Sequence, residues 1–138
     1  MLVLDMDDTL LTDDHKISDR NKKRLLQAQE MGVYVVLASG RPTPAMTKFA
    51  KELQLDIYDS YMLSYNGALI TQLKDNQIIF EQSLSQQQIH EIYDYSLKSN
   101  TQIITYLDGK IVSETHSEYI DIEINLTEME HHKVDCFK

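Results

Sequence analysis

Leu2-Val3-Leu4-Asp5-Met6-Asp7-Asp8-Thr9-Leu10-Leu11-Thr12 is the stretch on which the fold turns. Leu2 to Asp5 is a short apolar run that ends in a carboxylate, and two more carboxylates follow at Asp7 and Asp8. A strand apolar on both faces suits the middle of a parallel sheet covered by helices. Its carboxyl end is where open α/β sheets gather their ligand sites. Carboxylates this close repel one another, so a folded site that holds Asp5, Asp7 and Asp8 needs a cation or protonation. Mg²⁺ suits such a site, because it prefers hard oxygen ligands and also binds substrate phosphate.

Outward from that stretch, Ser18 is placed to cap a helix reaching Met31, with Leu25, Leu26 and Met31 as its buried stripe and Gly32 at its end. Residues 33–37 form a β-branched run, hence a second buried strand. Pro42 or Thr43 opens a helix to about Leu53, and residues 61–64 read as a third strand. Strand, helix, strand, helix, strand is one half of a doubly wound α/β fold. The pattern changes after the Asn66-Gly67 turn. Residues 68–72 and 78–82 alternate as strands around Asp75-Asn76. Ser85 and Gln88 form a capping box for a helix with Ile89, Ile92, Tyr93 and Leu97 on one buried side and Tyr95 outside. Asp108-Gly109 joins residues 102–107 to 110–114 as a hairpin, and Ser117 to about Glu130 is helical. The expected division is an α/β core segment, 1–82, and an α+β segment, 83–138.

Composition narrows the function. The 138 residues carry a formal net charge of −9, which argues against a nucleic-acid binder and against an anionic membrane surface. A metal ion can still supply the positive charge that a phosphate ester requires. Cys136 is the only cysteine, so no intramolecular disulfide forms and a reducing compartment fits. No basic segment precedes a long apolar run and no stretch is long enough to span a bilayer, so the chain reads as cytoplasmic. His131 and His132 read as solvated tail residues, while His15, His90 and His116 lack partners at ligand spacing. There is no Walker lysine loop and no glycine-rich dinucleotide fingerprint.

Asp5-Met6-Asp7 after a hydrophobic strand resembles the first motif of the haloacid dehalogenase (HAD) superfamily. The resemblance implies that Asp5 is a nucleophile forming an aspartyl-phosphate, that Asp7 is the general acid and base, and that Mg²⁺ is held by the Asp5 side chain and the Asp7 carbonyl. An acidic residue at position 7 favours phosphatase or phosphomutase chemistry over dehalogenation. Ala38-Ser39-Gly40-Arg41 resembles the second motif, whose hydroxyl donates to the phosphoryl group. Ser39 then provides that bond, Gly40 allows close approach of the backbone, and Arg41 pairs with phosphate or with a substrate carboxylate. Asn66-Gly67 resembles the core-to-cap passage of the Cof-type group, in which the asparagine faces the active site. Asp8, Ser39, Gly40, Arg41 and Asn66 are thus the candidate phosphate- and substrate-binding residues, and residues 83–138 match the start of a C2-type cap. Such enzymes generally hydrolyse small phosphorylated metabolites.

Two further HAD motifs, one contributing a lysine and one a Gly-Asp pair with another aspartate, are not found. The remaining lysines after Lys74 lie in cap-like or terminal segments, and Asp108-Gly109 has the reverse order. The chain therefore reads as a fragment: a truncated gene product, one half of a split protein, or a shortened chain. Two functions of different class follow, a phosphatase completed by another chain, and a non-catalytic remnant that binds metal, phosphate or a protein. A phospho-receiver domain fits less well, because its phosphoacceptor follows a later strand. In the HAD core the first strand is central, with later strands on its far side. Without them Leu2 to Leu4 becomes an edge, expected to self-associate or to bind a complementary C-terminal fragment.

Overall fold

Strands β1 (Leu2–Asp5), β2 (Val35–Ala38) and β3 (Tyr61–Ser64) lie side by side and parallel, with Leu2 opposite Val35, Asp5 opposite Ala38, and Ala38 opposite Leu63. This register brings the carboxyl ends of all three strands to one edge of the sheet. The computed structural model of the chain describes residues 1–137 and divides into two compact units, Met1–Gln82 and Ser83–Lys138.

In the first unit, β4 (Leu69–Gln72) adds antiparallel to β3 and β5 (Gln77–Glu81) antiparallel to β4, giving the order β1-β2-β3-β4-β5. The sheet is therefore mixed, with a parallel half that carries the acidic strand end. β1 stands at the margin, and Val3 is 51% exposed. An apolar strand is buried on both faces only when neighbours and helices flank it; here the marginal position overrides the composition of the run. The edge expected for Leu2 to Leu4 is the one observed.

Helix α1 (Asp19–Glu30) starts where Ser18 Oγ accepts the Asn21 N–H at 3.3 Å, and it ends before Gly32, whose φ of +85° is the left-handed turn that glycine supplies. Leu25 is buried and Leu26 partly so, but Met31 is 84% exposed. Gln29 takes the interior position instead. Its side-chain amide donates to the Leu53 carbonyl at 2.8 Å, satisfying a group left orphaned at the end of the next helix. That helix, α2 (Thr43–Glu52), follows Pro42 and buries Ala45, Met46, Phe49 and Ala50. Met6, Leu37, Met46, Leu53, Leu55 and Met62 form the fully buried centre of the unit, with Leu4 packed against it.

The second unit contains α3 (Gln86–Ser99), β6 (Thr105–Leu107), β7 (Lys110–Ser113), α4 (Glu118–Thr127) and β8 (His131–Lys133). The capping box closes α3 as the sequence indicates, with Ser85 and Gln88 bonding reciprocally. Its expected apolar stripe does not hold: Tyr93 and Ser96 are buried, while Ile89, Ile92 and Leu97 are exposed. Helical periodicity shows which side chains share a face, not whether anything covers that face. β6 and β7 form a hairpin around Asp108 and Gly109, both at positive φ. β8 then pairs parallel to β7, so His131 and His132 belong to a strand rather than a solvated tail. His131 Nε2 lies 2.8 Å from the buried Ser113 hydroxyl, and its ring sits 5.4 Å from that of His116.

Candidate active site

After Asp5 the chain makes one wide turn, Met6–Leu10, closed by the Leu11 N–H on the Met6 carbonyl at 2.9 Å. Met6 and Leu10 are buried and anchor the turn, which leaves Asp5 and Asp8 exposed and Asp7 partly covered. Asp7 is extended (φ −72°, ψ 137°) and Asp8 left-handed (φ 57°, ψ 10°), so the turn is aperiodic at its two acidic positions. Leu11 then bridges antiparallel to Ile17, and the intervening residues form a small exposed hairpin.

The loops after β2 and β3 are joined by their backbones. Ser39 N–H donates to the Leu63 carbonyl at 3.0 Å, Asn66 N–H to Ser39 at 3.1 Å, and Tyr65 N–H to Arg41 at 3.0 Å. The Ser39 hydroxyl oxygen accepts the Arg41 N–H at 3.1 Å, which leaves its own O–H available to donate. Asn66 packs on Gly40 so closely that a Cβ at residue 40 would meet Asn66 Oδ1 at 3.1 Å. Ser39, Gly40 and Asn66 are thus neighbours, although they are drawn from two loops. Asp8 enters the turn through its backbone, and among the described residues no side-chain hydrogen bond or ion pair joins it to the others.

Arg41 gives the largest departure from the sequence reading. Its side chain is buried and grips Asp7 through two bonds, Nε to Oδ2 at 2.9 Å and Nη2 to Oδ1 at 2.6 Å, with its guanidinium carbon 5.7 Å from the centre of the Phe49 ring. The carboxylate it holds belongs to the protein. The paired hydrogen bonds from Arg41 hold the Asp7 carboxyl below the usual carboxylate range. Partial burial pushes it the other way, and the charges of Arg41 and His15 reinforce the lowering. His15, set aside by its spacing in the sequence, brings Nδ1 to 3.9 Å from Asp7 Oδ1. Nothing in the sequence pattern marks that approach, because it depends on how the hairpin folds back.

The pair has a consequence in acid. Because the folded-state pKa of Asp7 lies below its unfolded value, the pair's contribution is complete above about pH 4 and lost as pH falls through the folded value. Urea unfolding of the wild type and of Asp7→Asn should therefore show a stability gap at pH 5 that narrows toward pH 2. A gap of constant size over that range would mean that the carboxylate does not draw its stability from Arg41.

A mixed α/β sheet with paired aspartates at the end of its first strand, beside a serine loop from the second, defines a class of hydrolase fold. The chain belongs to the haloacid dehalogenase-like hydrolases, whose family model matches residues 2–138. It is 30% identical to the protein YxeH of Bacillus subtilis, with 98% of this chain and 52% of that protein aligned. It is 34% identical to the 5-amino-6-(5-phospho-D-ribitylamino)uracil phosphatase YcsE of the same organism, over 73% of this chain and 39% of that one. Among solved structures, a haloacid dehalogenase-like hydrolase from Bacteroides thetaiotaomicron superposes with a TM-score of 0.90 at 33% identity, covering 99% of this chain and 52% of its own. The chain thus spans about half the length, or less, of these relatives. Among the described residues, no helix is long and apolar enough to cross a membrane.

Proposed function

We propose that the chain carries the nucleophile and acid–base residues of a Mg²⁺-dependent phosphatase acting on small phosphorylated metabolites. One observation carries the reading: parallel pairing of Asp5 with Ala38 sets Asp5 and Asp7 beside the Ser39 loop at one sheet edge. In the first step an Asp5 carboxylate oxygen attacks phosphorus, the bond to the ester oxygen breaks, and Asp7 gives its proton to the departing oxygen. In the second step water attacks the aspartyl-phosphate, Asp7 takes the water's proton, and phosphate leaves as Asp5 is regenerated. The Ser39 hydroxyl donates to a phosphoryl oxygen in both steps, with Asn66 alongside. Asp7 engaged by Arg41 is ionised, which is the form the second step uses; the first requires that it hold a proton.

The donors fit Mg²⁺ only in part. The Asp5 carboxylate and the Asp7 carbonyl are both oxygen, as Mg²⁺ prefers, and an ion that keeps several waters needs only one or two carboxylates. Among the described residues, however, no group of three or more histidine, cysteine, aspartate or glutamate side chains is placed to hold a metal. When bound, Mg²⁺ would offset the repulsion between carboxylate and phosphate. Weak binding follows from so few donors. The phosphatase name of YcsE supports the substrate class, and the single cysteine accords with a cytoplasmic setting.

Titration with Mg²⁺, followed through backbone amide shifts, tests this. The shifts should centre on residues 5–8, saturate only at millimolar metal, and vanish in Asp5→Asn. Turnover of p-nitrophenyl phosphate by this chain alone should stay well below ~1 per second, an ordinary enzyme rate. Shifts that ignore the Asp5→Asn change would overturn the metal assignment, and ordinary turnover from the purified chain would show that its donors suffice.

A further inference from the structure

We propose that His15 is a substrate-contacting residue that binds the leaving group of the phosphate ester; this rests on the reading of Asp7 as the acid that protonates that group. The hairpin carrying His15 is fixed at both ends and across its tip. Leu11 and Ile17, both buried, pair as its base. Thr12 N–H donates to the Lys16 carbonyl at 2.9 Å, Thr12 Oγ1 to the same carbonyl at 3.2 Å, and His15 N–H to the Thr12 carbonyl at 2.8 Å. His15 itself is left-handed, with φ at 54°, a conformation that histidine adopts more readily than most side chains. The result is an exposed imidazole held over the acid, Nδ1 lying 3.9 Å from Asp7 Oδ1.

That distance is too long for a hydrogen bond and too short for an intervening layer of solvent. An oxygen about 2.8 Å from both atoms sits at the apex of a triangle on their solvent side, bonded to each. Arg41, its side chain 3% exposed, closes one flank of the carboxylate, whereas the Asp7 and His15 side chains are 35% and 52% exposed. A leaving group that meets Oδ1 on its His15 side comes within reach of the imidazole. Imidazole nitrogens donate or accept, so they match an oxygen beside the ester position. The ligand class is a phosphate ester of a polyol or sugar, with a hydroxyl one or two carbons from the ester oxygen. Inorganic phosphate has no such group and gains nothing from His15.

The full chain in millimolar Mg²⁺ is titrated with glycerol 3-phosphate and, separately, with inorganic phosphate, both followed by NMR. His15→Ala should weaken glycerol 3-phosphate about fivefold, the size of one ordinary hydrogen bond, and leave inorganic phosphate unchanged. His15→Asn keeps a donor and tolerates the left-handed backbone, so it should recover most of the loss and separates contact from hairpin disruption. The wild-type His15 ring should shift with the ester and not with phosphate. Equal weakening of both ligands, or of neither, overturns the assignment and leaves the phosphatase reading standing. If neither ligand binds the wild type, the phosphate site itself fails, and the role of His15 fails with it.

Discussion

Asp7→Ala is expected to lower the unfolding free energy by about 2–3 kcal/mol, well beyond what an acidic surface residue is worth. The cost arises at Arg41. Its guanidinium is almost wholly buried and is bound by both oxygens of Asp7, so alanine at position 7 leaves a desolvated cation without its carboxylate. A fully buried pair broken in this way costs more, about 3–5 kcal/mol; Asp7 keeps a third of its side chain in solvent, where water takes over some of its role. Asp7→Asn should fall between, because the amide oxygen still accepts one of the two bonds. The double variant Asp7→Ala/Arg41→Met removes the charge together with its partner and should recover most of the loss. Chemical denaturation of the wild type, Asp7→Ala, Arg41→Met and the double variant measures this cycle, and additive single-site effects would mean that the two residues are not coupled. Asp7 substitutions thus alter the fold, apart from any effect on the chemistry proposed for it.

Asp5 has no such entanglement. It is exposed at the end of β1, so Asp5→Asn should leave the denaturation midpoint nearly unchanged. If Asp5 is the nucleophile, the same substitution should lower Mg²⁺-dependent turnover by about a thousandfold or more, equivalent to at least ~4 kcal/mol of transition-state stabilisation. The comparison belongs in whichever preparation gives measurable turnover, either this chain or this chain with a second half supplied. Mass spectrometry excludes a contaminating phosphatase. Normal turnover from folded Asp5→Asn would remove Asp5 from the chemistry.

The parallel half of the sheet was legible because each of its elements has a local signal. Ser18 opens α1, Gly32 closes it, Pro42 precedes α2, and Val35 and Val36 mark β2. The same economy marked the candidate site residues, since Asp5 ends β1, Ser39 follows β2 directly and Asn66 comes two residues after β3. What stayed hidden depends on contacts between distant residues. Arg41 meets Asp7 across 34 positions, and only the register of β1 against β2 creates that meeting. Gln29 looks like a surface residue of α1 until the end of α2 supplies a carbonyl for it to cap. His131 and His132 become a strand only when β7 lies alongside. In α3 the periodicity was real, but exposure of Ile89, Ile92 and Leu97 depends on what packs on that face, which periodicity does not encode.

Four residues around the site, Asp8, His15, Tyr65 and Asn66, lie at positive φ without being glycine. At each of them the backbone screens mutations before any reaction does: glycine, asparagine and aspartate pass, and β-branched residues are rejected. Residue 8 is the clearest case, because among the described residues no hydrogen bond or ion pair holds its side chain. A lineage drifting from this sequence can exchange Asp8 for glycine and still keep the turn. Variation there would record geometry. Asp5 and Asp7 stand at φ −70° and −72°, which nearly any residue can adopt. Their backbone leaves them free to change; Asp7 is held in addition by its pair with buried Arg41, whereas retention of exposed Asp5 would have neither backbone nor pairing to explain it.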